Sequence, residues 1–321
     1  MSNSIKNLYK SVTNTSQILS VNLSSAYTNA TDVAIIEAGS TTLSIGDSVT
    51  VDIGYDDDHA QLFTGYVKNV ERAYPNNTYT ITAYDVLTRA VDYFIASSNP
   101  DNPFTRSNIK CEDLIEDLLA LAGLTNYQGN NTNFTYGVSV PVEVNLVGCY
   151  DYCKQLSELV AWHLYADKNG KVWFVDRKPY PVGGDSSSGT IAKASVLSAT
   201  KVESDDDIRN RIVVYGANGI SAEAKAASAY LPSGFYKTAV MSASFIDSQS
   251  VADDAASYNL TKWNRLRSSL VMSLLGDPGI TSRNIYTVET LPIASSDDWF
   301  AYSVNHSISS SGYRTNVELR K

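Results

Sequence analysis

The end of the chain constrains the fold most. From Gly276-Asp277-Pro278-Gly279-Ile280 the sequence passes into three strand-like stretches, 284–290, 299–309 and 313–319. The Gly-Asp-Pro run is turn chemistry, and a Gly312-Tyr313 pair joins the last two strands as a hairpin. Upstream, Ala255, Tyr258, Leu266 and Leu270 read as the buried stripe of one long amphipathic helix. It starts with Ser250 as cap and Asp253 three residues on, and ends at Leu275. A ribbon of this kind leaves an unpaired edge, so it must complete a barrel or sheet begun elsewhere. A similar hairpin lies toward the other end, at 63–70 and 78–84. Two related β units around a more helical middle point to architecture rather than catalysis.

The 321 residues correspond to roughly two or three domains. With 43% hydrophobic and 18% charged residues, the chain has ample core material. No stretch approaches the roughly 18–20 apolar residues of a membrane-spanning helix, and residues 1–6 carry no signal-peptide run. The expectation is a soluble protein made in the cytoplasm unless a larger assembly carries it out, with no direct membrane insertion. The net charge of −9 is spread along the chain, which disfavours a nucleic-acid grip built on clustered Lys and Arg. Tyr outnumbers Phe, 21 to 8, as suits half-buried pleated surfaces whose hydroxyls stay wet.

Along the chain, residues 1–20 are polar and the strand pattern begins at Val21. Val49, Val51 and Ile53 alternate with Thr50 and Asp52, the period of a strand with one buried face. Gly65 interrupts the strand at 62–70, where a bulge or a close backbone approach is expected. Asp85 is placed to cap a short helix burying Val86, Leu87, Ala90, Val91 and Phe94. A linker at 97–103 leads to a helix at 111–122, with Leu114, Ile115, Leu118 and Leu119 as its stripe and Gly123 at its stop. A second helix spans about 150–162. A hairpin follows, 162–166 with 171–175, across Asp167-Lys168-Asn169-Gly170, whose Asn-Gly pair supplies the positive φ of a tight turn. A second linker at 179–188 precedes strands at 196–203 and 210–215.

Templates for chemistry find little. There is no GxxxxGK[ST] or GxGxxG loop, no GxSxG elbow and no HExxH. His59, His163 and His306 fall in different blocks with no local partner for a Ser-His-Asp arrangement. Cys149 and Cys153 are one helical turn apart, but two thiols do not make a zinc site, and with Cys111 they read as small buried side chains. Asp56-Asp57-Asp58 and Asp205-Asp206-Asp207 lack the alternating spacing of a calcium loop and read as solvated turns. Trp162, Trp173 and Trp299 suit cross-strand packing better than a carbohydrate platform. Lys262, Arg265 and Arg267 around Trp263 read as a solvated face, with docking of a partner subunit as the rival. No catalytic, cofactor-binding or metal residue is assigned, and no enzyme activity is expected.

In order and spacing the chain resembles the phage tail hub, or baseplate hub, family. The resemblance rests on three runs. They are Val49-Thr50-Val51-Asp52-Ile53 with Leu62-Phe63-Thr64-Gly65-Tyr66-Val67 and Tyr79-Thr80-Ile81-Thr82-Ala83-Tyr84-Asp85; Leu119-Ala120-Leu121-Ala122-Gly123 with the 165–174 hairpin; and Gly276-Asp277-Pro278 with 302–308 and 312–319. Residues 1–20 and 217–248 show no such match. The resemblance implies an α+β, mainly β fold with two tail-tube-like β-barrels: a first barrel at 1–98 and a second at 189–216 with 276–321. Between them it implies an α+β middle domain at 99–182 and a helical or irregular insertion at 217–275. It further implies a homotrimeric, pseudo-six-fold ring in the virion, assembled in the host cytoplasm. That ring would contact the tail tube or distal tail protein, the tape-measure protein and a central spike or tail-fibre protein, with DNA passing through its channel. The rival classes are a tail-associated cell-wall hydrolase and a carbohydrate- or receptor-binding tail protein. A type VI secretion spike is a close relative, and it would continue into a β-helical needle.

Overall fold

The computed structural model describes residues 7–98 and 102–321. The reading of residues 1–6 and the 99–101 part of the first expected linker lie outside them. Among the described residues the fold is mainly β, 46% strand and 15% helix with four α-helices.

The first unit is built from six strands: β1 (Leu8–Val12), β2 (Thr15–Ala26), β3 (Val33–Thr41), β4 (Ser48–Tyr55), β5 (Asp58–Arg72) and β6 (Tyr79–Asp85). They pair antiparallel in the order β1-β4-β5-β6-β3-β2, and the Val12↔Thr15 pair returns β2 to β1, so the hydrogen-bond order closes on itself. Strict alternation places Val49, Val51 and Ile53 of β4 inside together with Ala34 and Ile36 of β3 and Ile81 of β6, all fully buried. Each such Val or Ile side chain contributes about 1.5–3 kcal/mol relative to exposure. The strands begin earlier than the polarity of residues 1–20 suggests, because β1 and the start of β2 bury only isolated apolar residues such as Val12.

The middle holds α1 (Thr88–Asp92), α2 (Cys111–Leu121), β7 (Tyr127–Gly129), α3 (Cys149–Leu159), β8 (His163–Ala166) and β9 (Val172–Val175). The expected Asn-Gly hairpin forms: β8 pairs β9, Gly170 takes φ 78°, and Asp167 Oδ1 accepts from the Asn169 and Lys171 amides at 2.9 and 3.0 Å. After α2, Gly123 takes φ 74° as a C-terminal stop.

Further along the chain come β10 (Thr190–Ile191), β11 (Val196–Ser204), β12 (Arg211–Tyr215), β13 (Ser221–Lys225), β14 (Thr238–Ser242), α4 (Gln249–Trp263), β15 (Arg267–Leu275), β16 (Ile285–Val288), β17 (Asp297–Ser309) and β18 (Gly312–Arg320). From β2 the large sheet continues β17-β18-β15-β11, with β16 on β17 and β10 on β16, giving twelve strands. The two six-strand units therefore share one hydrogen-bonded sheet, joined by β2 and β17 from Val21↔Ile308 to Ala26↔Ser303.

Several expectations are corrected. The helix does not reach Leu275: it ends at Trp263, and 267–275 is strand β15, paired to β11 and β18. Ser269, Leu270, Met272 and Leu274 are buried there while Val271 and Leu275 are about half exposed, so apolar residues on both faces hide the strand period. Ser248, not Ser250, caps α4, its side chain accepting from the Val251 amide. Tyr258 is exposed, and the buried face of α4 carries Ala252, Ala255, Ala256, Asn259 and Lys262. β12 does not join the large sheet as the 210–215 strand was expected to. It forms a separate sheet, β13-β12-β14, whose Ile212 and Val214 pack with α4 into the middle core. Asp85 does not cap α1, since Leu87 occupies the cap position, and Val91 and Phe94 face outward.

Candidate functional site

Three chain regions meet at Arg283. The Gly276-Asp277-Pro278 joint leads the chain out of β15: Gly276 packs against the Tyr313 ring with no room for a Cβ, and Asp277 Oδ1 accepts from the Gly279 amide at 2.8 Å. The segment then delivers Arg283 in a left-handed conformation (φ 68°), its amide donating to the Ala301 carbonyl at 2.7 Å. Arg283 is 7% exposed. Its guanidinium grips Asp32 with two bonds, Nη1 to Oδ2 at 3.0 Å and Nη2 to Oδ1 at 3.2 Å. It also donates to Ser25 Oγ and the Ala26 carbonyl, each at 2.9 Å, and through Nε to His163 Nε2 at 3.1 Å. Bidentate pairing of this kind is what the rigid guanidinium fork supplies and a lysine does not.

Around this clasp the Asp32 amide donates to Asp85 Oδ2 at 2.6 Å, and the Leu87 amide to Asp85 Oδ1 at 2.9 Å. Burial, and then the Asp32 charge, push the Asp85 carboxyl up to about 8. His163 is stacked between Tyr27, at 4.0 Å between ring centroids, and Tyr165, at 5.1 Å. Burial and then Arg283 hold its pKa well below the usual histidine range. A neutral His163 accepting from Arg283 is consistent with both. A cavity of about 270 Å³ opens at the clasp, lined by Ser25, Asp32 and Arg283 together with Asp167, Lys168 and Trp173 among others.

The arrangement holds segments together and lacks the relay of a hydrolase. Ser25 donates to Asp32, but the imidazole nitrogen that would serve as base is engaged by Arg283 instead. Sequence reasoning noticed Asp85 and His163 singly and missed Arg283 and Asp32 altogether. Arg283 sits in no motif, and the Ser25, Asp32 and His163 side chains it bonds lie more than a hundred positions away.

The other candidates are dispersed. Asp56 and Asp57 form the turn of the β4–β5 hairpin, and Asp58 opens β5. Asp205 and Asp207 pair with Lys237 and Arg267, each at 2.9 Å. His59 bonds Asp52 at 2.9 Å and stacks on Tyr9. Cys111, Cys149 and Cys153 are buried, and Cys149 Sγ donates to the Leu118 carbonyl at 3.2 Å. Trp162 packs on Phe174 at 5.0 Å, Trp173 sits opposite Tyr165 and donates to Asp167, and Trp299 is buried in the core of the second unit. Among the described residues no group of three or more His, Cys, Asp or Glu is placed to hold a metal ion, and no helix is long and apolar enough to cross a membrane.

No protein-family model matches the chain, and no curated protein matches it in sequence. Solved structures do share its fold. The 43 kDa tail protein of prophage MuSo2 from Shewanella oneidensis is 12% identical with a TM-score of 0.69, the match covering 98% of each chain. A tail protein from Neisseria meningitidis MC58 is 10% identical with a TM-score of 0.71, over 98% of this chain and 96% of that one. The E. coli c3393 protein, a component of the type VI secretion system, is 8% identical with a TM-score of 0.60, over 97% and 76%. Over nearly its whole length, the chain has the fold of phage tail proteins and of a type VI secretion component.

Proposed function

We propose that the chain is the structural hub of a bacteriophage tail tip or baseplate. In this reading each six-strand unit is a tail-tube-like barrel, and three copies present six such units in a pseudo-six-fold ring. The first barrel is the β1–β6 unit, and the middle domain begins after it, with Val86, Leu87, Ala90 and Ile95 already in its core; the second barrel is assembled from strands on both sides of the 211–263 insertion. The ring joins the tail tube or distal tail protein to a central spike or tail-fibre protein, meets the tape-measure protein, and surrounds the passage for DNA. It acts in the virion after assembly in the host cytoplasm and performs no catalysis.

The observation that carries this reading is the continuity of the two six-strand units through β2 and β17. Two strand-matched units fixed side by side in one subunit are what lets a three-fold ring mimic a six-fold one. The full-length likeness to tail proteins supports the same reading, and a net charge of −9 suits a wall past which DNA slides without being held. Native mass spectrometry of the purified chain, and electron microscopy of assembled tails, should show a three-subunit ring. A stable monomer that binds glycans would overturn the hub assignment.

A further inference from the structure

The two six-strand units repeat one topology. Ranked in chain order, both run first, fourth, fifth, sixth, third, second: β1-β4-β5-β6-β3-β2 and β10-β16-β17-β18-β15-β11. The match extends to single residues. Pairing of the second strand with the third is broken by a bulge after Ile18 in one unit and after Val196 in the other, the extra residues being Leu19 and Leu197. Pairing of the fifth with the sixth is broken after Val67 and after Ala301. Val67 exchanges backbone bonds with Gly46 and Asp47 at 2.8 and 2.9 Å, and Ala301 does so with Arg283 and Asn284 at 2.7 and 2.8 Å. These marks align residues 20–26 of β2 with 198–204 of β11, and 69–72 of β5 with 303–306 of β17.

The repeat makes one junction within the chain. The second strand of the first unit pairs the fifth strand of the second, β2 with β17, with Leu23 opposite His306 and Ala26 opposite Ser303. The equivalent junction, β11 with β5, is not made within the subunit. Among the described residues β11 pairs only β15, and β5 pairs β4 no further than Tyr66 and continues to Arg72 on β6 alone. Both edges are accessible: Thr200, Lys201, Val202 and Glu203 are exposed, as are Asn69, Glu71 and Arg72. A nine-residue strand edge with its amides and carbonyls unpaired is a template for an extended backbone. This chain carries both halves of the unmade junction, which identifies a second copy as the occupant.

We propose that β11 of one copy pairs antiparallel with residues 69–72 of β5 in the next, repeating between subunits the β2–β17 junction inside each. The alignment sets the register: Ser204 opposite Asn69, Glu203 opposite Val70, Val202 opposite Glu71 and Lys201 opposite Arg72. Glu203, bonded to Lys201 at 2.7 Å, falls diagonal to Arg72 and offsets the two cations. The contact is heterologous, so it either closes a ring or grows a filament, and closure at three copies rests on the hub reading. One difference separates the two junctions. Gly46 stands where Arg283 does, so the contact between copies lacks the guanidinium that grips Asp32 across the internal one, and it is the weaker of the two.

Site-directed crosslinking of the full chain tests the pairing. Val202→Cys and Glu71→Cys each add one exposed thiol, while the three native cysteines are buried. Mixed and treated with a short bismaleimide, the two variants should yield a covalent dimer holding one of each, and neither should crosslink to Lys110→Cys in the middle region. Native mass spectrometry supplies the second arm. Val202→Asp sets like charges opposite each other at every contact and should deplete the three-subunit species about tenfold; Val202→Asp with Glu71→Lys should restore it. A three-subunit ring that lacks the crosslink between positions 202 and 71, or that Val202→Asp leaves intact, overturns this pairing and spares the hub reading. The crosslink in open chains of copies, with no closed trimer, upholds the pairing and overturns the count of three. A monomer at every concentration overturns both.

Discussion

At the scale of single residues, the buried histidines show what this fold does with polar groups. His306 is held through both ring nitrogens: Nε2 donates to the Ile280 carbonyl at 2.9 Å, and Nδ1 accepts from the Tyr313 hydroxyl at 2.8 Å and from Thr315 Oγ1 at 3.2 Å. The Ile280 carbonyl fixes Nε2 as the protonated nitrogen, and burial lowers the ring's pKa to about 4, which leaves Nδ1 the acceptor at neutral pH. In the unfolded chain the imidazole takes its proton near pH 6.5, which the native protein refuses until about pH 4. The native state therefore binds fewer protons in this window. The stability His306 contributes is complete above pH 6.5 and is lost as the pH falls toward 4, by about 3 kcal/mol in all. Urea unfolding at several pH values between 7 and 4.5 should show a steep loss for the wild type and a shallower one for His306→Gln. His163 titrates in the same sense in both proteins, so the difference in slope isolates His306, and parallel slopes would refute the account. Sequence showed His306 in a strand but not its partners, because hydrogen-bonding neighbours on β18 and in the Gly276–Ile280 joint leave no mark on local periodicity.

At the scale of elements, what was legible depended on whether one face or two was apolar. β4 has a single buried face, and its alternation could be read directly. The 163–175 hairpin was fixed by turn chemistry, since an Asn-Gly pair flanked by apolar runs leaves few alternatives. β15 defeated the same reasoning because Val271 and Leu275 add apolar character to its outer face, and a run of this length then reads equally well as helix. Of the two features expected at Gly65, a bulge or a close backbone approach, the structure shows the second. The bulge between β5 and β6 falls at Val67/Asn69, while Gly65 itself sits opposite Asp85. A Cβ there would lie 2.0 Å from the Tyr84 carbonyl oxygen and 2.7 Å from the Phe63 ring. Backbone on the partner strand cannot swing aside as a side chain can, so Gly65→Ala should destabilise by about 1–3 kcal/mol. The check is the urea midpoint: an unchanged midpoint would mean that β5 and β6 can separate locally, contrary to their continuous pairing.

For the whole molecule, the resemblance in segment order anticipated two β units and a helical middle, but not which segments build which core. β12 alternates as any half-buried strand does, and nothing in its residues says that it leaves the large sheet to pack with α4. The joining of the two units by β2 and β17 is also a long-range fact. β17 spans both cores: Ile308 is fully buried with Val21 and Ile36 of the first unit, whereas Trp299, Ala301 and Val304 are buried with Leu270 and Val317 of the second. A strand that belongs to two cores at once should make them one cooperative unit. Ile308→Ala removes side-chain volume only on the first unit's side, at a cost of about 2–5 kcal/mol. If the units are coupled, native-state hydrogen exchange will show the amides of Ile36 and Ile81 and those of Leu270 and Val317 losing protection by the same amount. If the first pair opens while the second keeps its protection, the shared strand is only a mechanical link. The fixed side-by-side geometry on which a three-fold ring of six units depends would then need support from neighbouring subunits.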